Sequence, residues 1–316
     1  MAGSRPHFSR HRSTSHAMTR SLRLAFVSDI HHGENSFTKV GTAALPLMEE
    51  FRRFVADAQP DAVIDLGDRI SDIDHATDLR LEREVAHAFA PIMAPRFHLC
   101  GNHDRDHLSV AENEEILGQA LGHRTVDLGD WRLVLWAADS RIHRPGGFVL
   151  READLLWLAA TVEAADRPLV VMSHVPVSGH AQTGNYYFER NPASSTYPGA
   201  ERVRSVLARA KVPMICIAGH VHWNTLTTVD GIPHLTLQSL TESFTTMPGP
   251  AGAFALLELG NDIGWTVHGQ DPFTARIDPA GTMRRWMTPL QPFDEHPELR
   301  HRRLISSLQA NAAALT

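Results

Sequence analysis

Cysteine is nearly absent: Cys100 and Cys216 are the only two in 316 residues. Each ends or sits within an apolar run, "FHLC" and "MICIA", which reads as two separate buried thiols. That excludes a disulfide-stapled scaffold and a thiolate metal centre, and suits a reducing, cytoplasmic setting. Long apolar runs are missing too. None approaches the ~20 residues of a membrane helix, so no membrane partner is expected. Positive charge is not in excess: the formal net charge is −6. A nucleic-acid polymer is therefore disfavoured as a partner, because its binders are usually basic. The opening stretch "MAGSRPHFSRHRSTSHAMTR" is basic, serine-rich and free of acids, but has no apolar segment of the secretory type. Residues 1–20 are expected to be a disordered basic leader, with Met18 a second candidate start.

What is present is a core and many histidines. Hydrophobic residues make up 43% of the chain, enough for a sizeable α/β domain. From Leu22 onward, strand-like runs alternate with helical patterns. The runs are 22–28, 62–66, 97–100, 133–137, 169–173, 214–218, 234–240 and 253–259. Several are continuously apolar, as in strands covered on both faces. Leu47, Phe51, Phe54 and Val55 share a helical face, as do Leu155, Leu158 and Val162, and then Val203, Val206, Leu207 and Ala210. Ser109 with Glu112 forms a capping-box signature. Strands dominate after residue 214, which predicts an α/β sandwich with a mixed or antiparallel sheet. The domain is expected over 21–270. Five prolines between 272 and 297 predict an extended C-terminal arm over 271–316, with a short helix in 298–313 that could serve a homo-oligomer contact.

The 20 histidines fall in a pattern. The run 22–28 is followed by Asp29 and His31; 62–66 by Gly67 and Asp68; 97–100 by Gly101, Asn102, His103 and Asp104; 169–173 by His174; 214–218 by Gly219, His220 and His222. Ligands bind outside the carboxyl ends of strands in open α/β sheets. Residues two apart in extended chain point the same way, so D-x-H and H-x-H can each aim two donors at one place. Singly, each motif is weak and a cap or turn explains it as well. Jointly they supply seven donors: Asp29, His31, Asp68, Asn102, His174, His220 and His222. That is too many for one tetrahedral zinc and suits two ions about 3.5–4 Å apart with a bridging carboxylate. Oxygen and imidazole donors point to Mn, Fe, Zn or Co.

D-x-H, G-D, G-N-H-D, H and G-H-x-H, in this order over about residues 22–240, resemble the calcineurin-like metallophosphoesterase superfamily. The resemblance implies a four-layer αββα sandwich of two mixed β-sheets with the dinuclear site at the strand ends. It implies that Asp29, His31 and His222 hold one ion and Asn102, His174 and His220 the other, with Asp68 bridging. His103 would contact the phosphate and protonate the leaving oxygen, with Asp104 either orienting it or merely capping. Within the superfamily the chain looks similar to bacterial class III cyclic nucleotide phosphodiesterases and glycerophosphodiesterases. It is also similar to manganese-dependent nucleotide diphosphatases acting on ADP-ribose or CDP-alcohols. It departs from the serine/threonine protein phosphatases, because "GDRISDID" replaces their G-D-x-V-D-R-G.

The expected function is hydrolysis of a small phosphodiester by in-line attack of a metal-bridging hydroxide. A nucleotide diphosphatase and a non-catalytic scaffold of the same fold are the alternatives. Between His174 and Gly199 lies a long segment carrying Tyr186, Tyr187, Phe188 and Arg190. Such loops often cover sites. Asn102, Tyr186, Tyr187, Arg190 and Trp223 are therefore substrate-contact candidates, though the aromatics would equally pin the loop to the domain.

Overall fold

The computed structural model describes residues 21–143, 147–290, 292, 293 and 295. The leader over 1–20 and the helix expected in 298–313 lie outside the described residues. The chain runs through β1 (Leu22–Val27), α1 (Ala44–Ala58), β2 (Ala62–Asp65), α2 (His75–Phe89), β3 (Arg96–His98) and α3 (Val110–Leu117). Next come β4 (Arg124–Leu128), β5 (Trp131–Leu135), α4 (Glu152–Glu163), β6 (Leu169–Ser173), α5 (Ala200–Leu207) and β7 (Met214–Ala218). It finishes with β8 (Thr225–Val229), β9 (Ile232–Thr236), β10 (Phe254–Leu259), β11 (Ile263–His268) and β12 (Phe273–Ile277).

Two six-stranded sheets form, in the orders β12-β11-β10-β1-β2-β3 and β4-β5-β6-β7-β9-β8. Both are mixed. β1, β2 and β3 run parallel while β10 opposes β1. β5, β6, β7 and β9 run parallel, with β4 and β8 antiparallel at the edges.

The apolar runs are continuous because each sheet is covered twice. In β1, Leu24 and Phe26 face the other sheet, joining Leu133, Met172 and Ile217 in the central core. Their neighbours Ala25 and Val27 face α1 and α2 through Met48, Phe51, Val55 and Val85. The second sheet repeats this: Val134, Val171 and Cys216 pack on Leu158 of α4 and Val203 of α5. Alternate side chains of a strand point to opposite faces, so four layers follow: helices, sheet, sheet, helices. The capping box at Ser109 and Glu112 opens α3 as expected.

The arm expected from residue 271 begins later. Phe273, Ala275 and Ile277 alternate onto the central core, so β12 closes the edge of the first sheet beside β11. Pro272 and Pro279 flank that strand rather than interrupt it. Beyond it, Thr282 Oγ1 accepts from Met214 N at 3.0 Å, and Arg285 donates to the carbonyls of Ala208 and Ala210. No helix of the described residues is long and apolar enough to cross a membrane.

Phe26 is fully buried and meets Trp265 edge-on at 5.3 Å. Phe26→Ala is expected to lower unfolding free energy by about 3–5 kcal/mol, read from urea unfolding curves of equal slope.

Candidate metal centre

β1, β2, β3, β6 and β7 all end at one place, and their following residues leave the strand by a sharp turn. Asp29, His31, Asp68, His220 and His222 have φ of 51°, 46°, 57°, 69° and 54°. Left-handed backbone is uncommon for such residues and persists only where surroundings over-determine it. Here they do. Asp29 N–H donates to Gly67 O at 2.9 Å and His31 N–H to Asp68 O at 3.0 Å, tying the first motif to the second. His220 N–H donates to both carboxylate oxygens of Asp29, at 3.1 and 3.0 Å, tying the first to the last. Glycine is required at two of these contacts. A Cβ on Gly219 would overlap Ser28 Oγ and Asp29 Oδ2; one on Gly101 would overlap the Asp68 carboxylate.

All seven expected donors converge and all are buried. Asp29, His31, Asp68 and His222 form one group; Asp68, His174 and His220 form a second. Asp68 belongs to both. Asn102 joins the second, with Oδ1 3.3 Å from His174 Nε2.

Each outer hydrogen bond selects the nitrogen that faces inward. His174 Nδ1 donates to Leu66 O at 2.9 Å, leaving Nε2 pointing at Asp68 Oδ2, 3.3 Å away. His222 Nδ1 donates to Glu242 Oε2 at 2.9 Å, leaving Nε2 3.4 Å from Asp29 Oδ1. His220 reverses the pattern: Nε2 donates to Ser194 O at 2.8 Å, which leaves Nδ1 for the centre. Fixing the ring this way is what second-sphere partners of metal-bound histidines do. Carboxylate, imidazole and amide donors in two groups sharing one carboxylate fit a dinuclear divalent site.

The metal-free electrostatics agree. Burial opposes charge on His174, but the Asp68 carboxylate outweighs it and pushes the imidazole up to about 9. Burial likewise opposes charge on His222, where Asp29 and Glu242 prevail and push it up to about 9. Burial holds His220 down to about 4 and His31 well below its ordinary value. His222 Nε2 and His31 Nε2 lie within hydrogen-bond distance, 2.8 Å apart. Protons stand where cations fit.

His103 stands at the opening. Its N–H donates to Asp68 Oδ1 at 2.8 Å, its ring meets His31 edge-on at 4.7 Å, and its Nδ1 pairs with Asp72. Asp104 does not orient it. The Asp104 carboxylate accepts from the N–H groups of Asp68, Arg69 and Gly101 at 2.9, 2.7 and 2.8 Å, clamping the two loops together. Adjacent residues on a short 3-10 turn point apart, so sequence neighbours need not be partners. Arg69 lies behind this clamp, fully buried, paired to Asp65 and Glu82 at 2.8 and 2.5 Å.

The sequence matches the calcineurin-like phosphoesterase family over residues 22–224. The chain belongs to that family. Solved structures with the same fold include a dimetal phosphatase from Danio rerio, 17% identical, with a TM-score of 0.63 over 81% of this chain and 99% of that one. A purple acid phosphatase from yellow lupin (Lupinus luteus) seeds is 15% identical, with a TM-score of 0.62 over 87% of this chain and 58% of that one. No curated protein matches the sequence.

In this calcineurin-like phosphoesterase a cleft of about 490 Å³ opens beside the donors, lined by Ser36, Phe37, Lys39, Asp72, His103 and Tyr187 among others. Of the substrate-contact candidates, His103 and Tyr187 reach it. Tyr187 donates to or accepts from Thr38 Oγ1 at 2.9 Å, and its ring lies 5.5 Å from that of His222. Tyr186 backs Tyr187 at 4.9 Å, Trp223 packs on His180 and Phe244, and Arg190 is exposed away from the lining. Phe188 lies 5.1 Å from the His220 ring. The loop aromatics thus rest on the ligand histidines and pin the loop, which in turn supplies the Ser194 carbonyl. Glu242 and Asp72 were missed in the sequence. Glu242 follows the strand expected to end at 240, and nothing local marks it; Asp72 lies in "SDID", four residues past Asp68.

Glu242→Gln is expected to weaken metal binding about 10–100-fold with the fold retained, read by competitive titration against a chelating dye. His174 and His222 have folded values above the ordinary imidazole value. Their contribution to metal-free stability is therefore complete below about pH 6.5 and is lost as pH rises through about 9. The melting temperature of chelator-treated protein should fall across that window, and metal loading should release protons within it.

Proposed function

We propose that the chain is a dinuclear-metal-dependent phosphodiesterase acting on a small diester, of the cyclic nucleotide or glycerophosphodiester type. The observation that carries this is His103, anchored to the shared carboxylate by its main chain and to Asp72 by its ring, at the wall of the cleft. A phosphoester of an aliphatic alcohol, diester or monoester alike, expels an alkoxide, and an alkoxide needs a proton.

Asp29, His31, His222 and Asp68 would hold one ion, and Asp68, Asn102, His174 and His220 the other. When bound, the ions supply an acidified water and offset phosphate charge. The protein's own residues do the rest. Asp72 retains the Nδ1 proton of His103, so that Nε2 carries the proton given to the leaving oxygen. Asp104 and the Gly101 contact keep the Asp68 and His103 loops in register, so donor and shared carboxylate move as one. Tyr187 closes the side of the cleft and keeps bulk water from the His222 edge. The cleft's volume of about 490 Å³ and the chain's formal net charge of −6 suit a small ester rather than a polymer.

The test is hydrolysis of bis(p-nitrophenyl) phosphate against p-nitrophenyl phosphate after chelation and add-back of Mn, Fe, Co or Zn. Diester turnover that depends on metal and vanishes in Asp68→Ala is expected. His103→Gln should keep its metals and lose about 10²–10⁴ in kcat on alkyl leaving groups, with a smaller loss on p-nitrophenoxide, which leaves without help. Preference for the monoester would overturn the diesterase reading. Silence on both esters with two ions bound would redirect the search to pyrophosphate-linked nucleotides. Silence with no ion bound would favour a scaffold.

A further inference from the structure

Lysine is rare in this protein. Among its 30 basic residues only Lys39 and Lys211 are lysines. Lys39 is 8% exposed and lines the cleft together with Asp72, His103 and Tyr187. A lysine so buried is ordinarily paired, because taking an ammonium out of water without a partner is costly. Among the described residues its ammonium makes no hydrogen bond and no ion pair within 4 Å. The nearby carboxylates that attract it are those of Asp68, Asp72, Glu242 and Asp29, and each is already engaged. Asp68 accepts from His103 N–H, Asp72 pairs with His103, Glu242 accepts from His222 and from the N–H groups of Ser243 and Phe244, and Asp29 accepts from His220 N–H.

The backbone that presents Lys39 is held at both sides. Lys39 N–H donates to Ser36 O at 2.8 Å, and Ser36 N–H returns to Lys39 O at 3.0 Å. Lys39 forms an isolated β-bridge with Glu242, and Val40 N–H donates to Thr241 O at 2.9 Å. Thr38 is fixed by Ser243 Oγ, which donates to its carbonyl at 2.6 Å. Lys39 is therefore presented to the cleft by a segment tied to the one that positions His222, and among the described residues no acceptor lies within hydrogen-bond distance of its ammonium.

We infer that Lys39 is a substrate-contacting cation: its ammonium takes a phosphate oxygen that the metal ligands' side of the cleft leaves uncovered. This rests on the phosphoester reading of the site. The compact ammonium acts as a point charge, without the fixed fork of a guanidinium.

Two lysines make the test direct. The full chain, loaded with metal and carrying 15N-labelled lysine, shows two side-chain resonances, and Lys39→Arg assigns the one of interest. Inorganic phosphate is titrated in, with calorimetry alongside. The Lys39 resonance is expected to shift with the calorimetric midpoint while the Lys211 resonance stays still. Lys39→Met is expected to weaken phosphate binding about 10–100-fold with both ions still bound by metal analysis, and Lys39→Arg to recover part of it. Phosphate binding that leaves the Lys39 resonance unmoved overturns the inference, as does wild-type affinity in Lys39→Met. Should Lys39→Met lose metal, the wild-type resonance decides alone. Failure of the metal-loaded wild type to bind phosphate at all counts instead against the phosphoester reading.

Discussion

The Asp68 carboxylate is the constraint on which the site depends. One oxygen accepts from the His103 main chain at 2.8 Å, and the other faces His174 Nε2 at 3.3 Å and His31 Nε2 at 3.8 Å. Gly101 lies so close against it that any side chain there would displace it. Loops from both sheets are therefore referenced to one buried anion. Burial works against charge on that carboxylate, but His174, His103 and His31 around it hold its pKa well below the usual carboxylate range.

Behind the ligands sits a second buried cluster that bears the loops rather than the chemistry. Arg69 meets Asp65, Glu82 and Asp104, and donates to Leu99 O at 2.7 Å. Burial pushes Glu82 up to about 8 against the pull of Arg69, so near neutral pH the cluster carries less negative charge than its three acids suggest. Ion clusters this deep gain little net stability over apolar packing, but removing one partner is severe. Their service here is positional. Asp104 links Arg69 to the main chain of Asp68 and Gly101, so the helix side of the first sheet and the donor loops form one rigid block.

Two histidine-fixing contacts come from segments that are distant in the chain. Glu242 lies on the segment that also bridges Lys39, and Ser194 lies in the loop whose aromatics rest on His220 and His222. The cleft wall and the orientation of the ligands are in this way one structure. Residues 36–39 meet His222 through Glu242, and the loop meets His220 through the Ser194 carbonyl.

Much of this was legible in the sequence. The buried strands β1, β2, β6 and β7 announce themselves because double coverage demands continuous apolar runs, and the seven donors because each follows such a run after a turn. Four strands went unread: β4, β8 and β12 lie at sheet edges, where half-buried alternation such as "RTVDL" and "FTARI" is diluted by polar residues, and β11, inside its sheet, alternates buried and half-buried positions in "IGWTVH" with a glycine and a threonine among them. The fate of Asp104 and of Arg190 was not readable either. A carboxylate beside a histidine in sequence has no fixed direction in space, and the turn at His103 sends the two side chains to different partners. What the sequence alone determined is the set of donors and the fold that gathers strand ends. What only tertiary structure decided is which nitrogen of each histidine faces inward, and that Asp72, Glu242 and Lys39 join them. Those choices depend on hydrogen bonds and burial between segments up to about 200 residues apart, and no local pattern encodes such contacts.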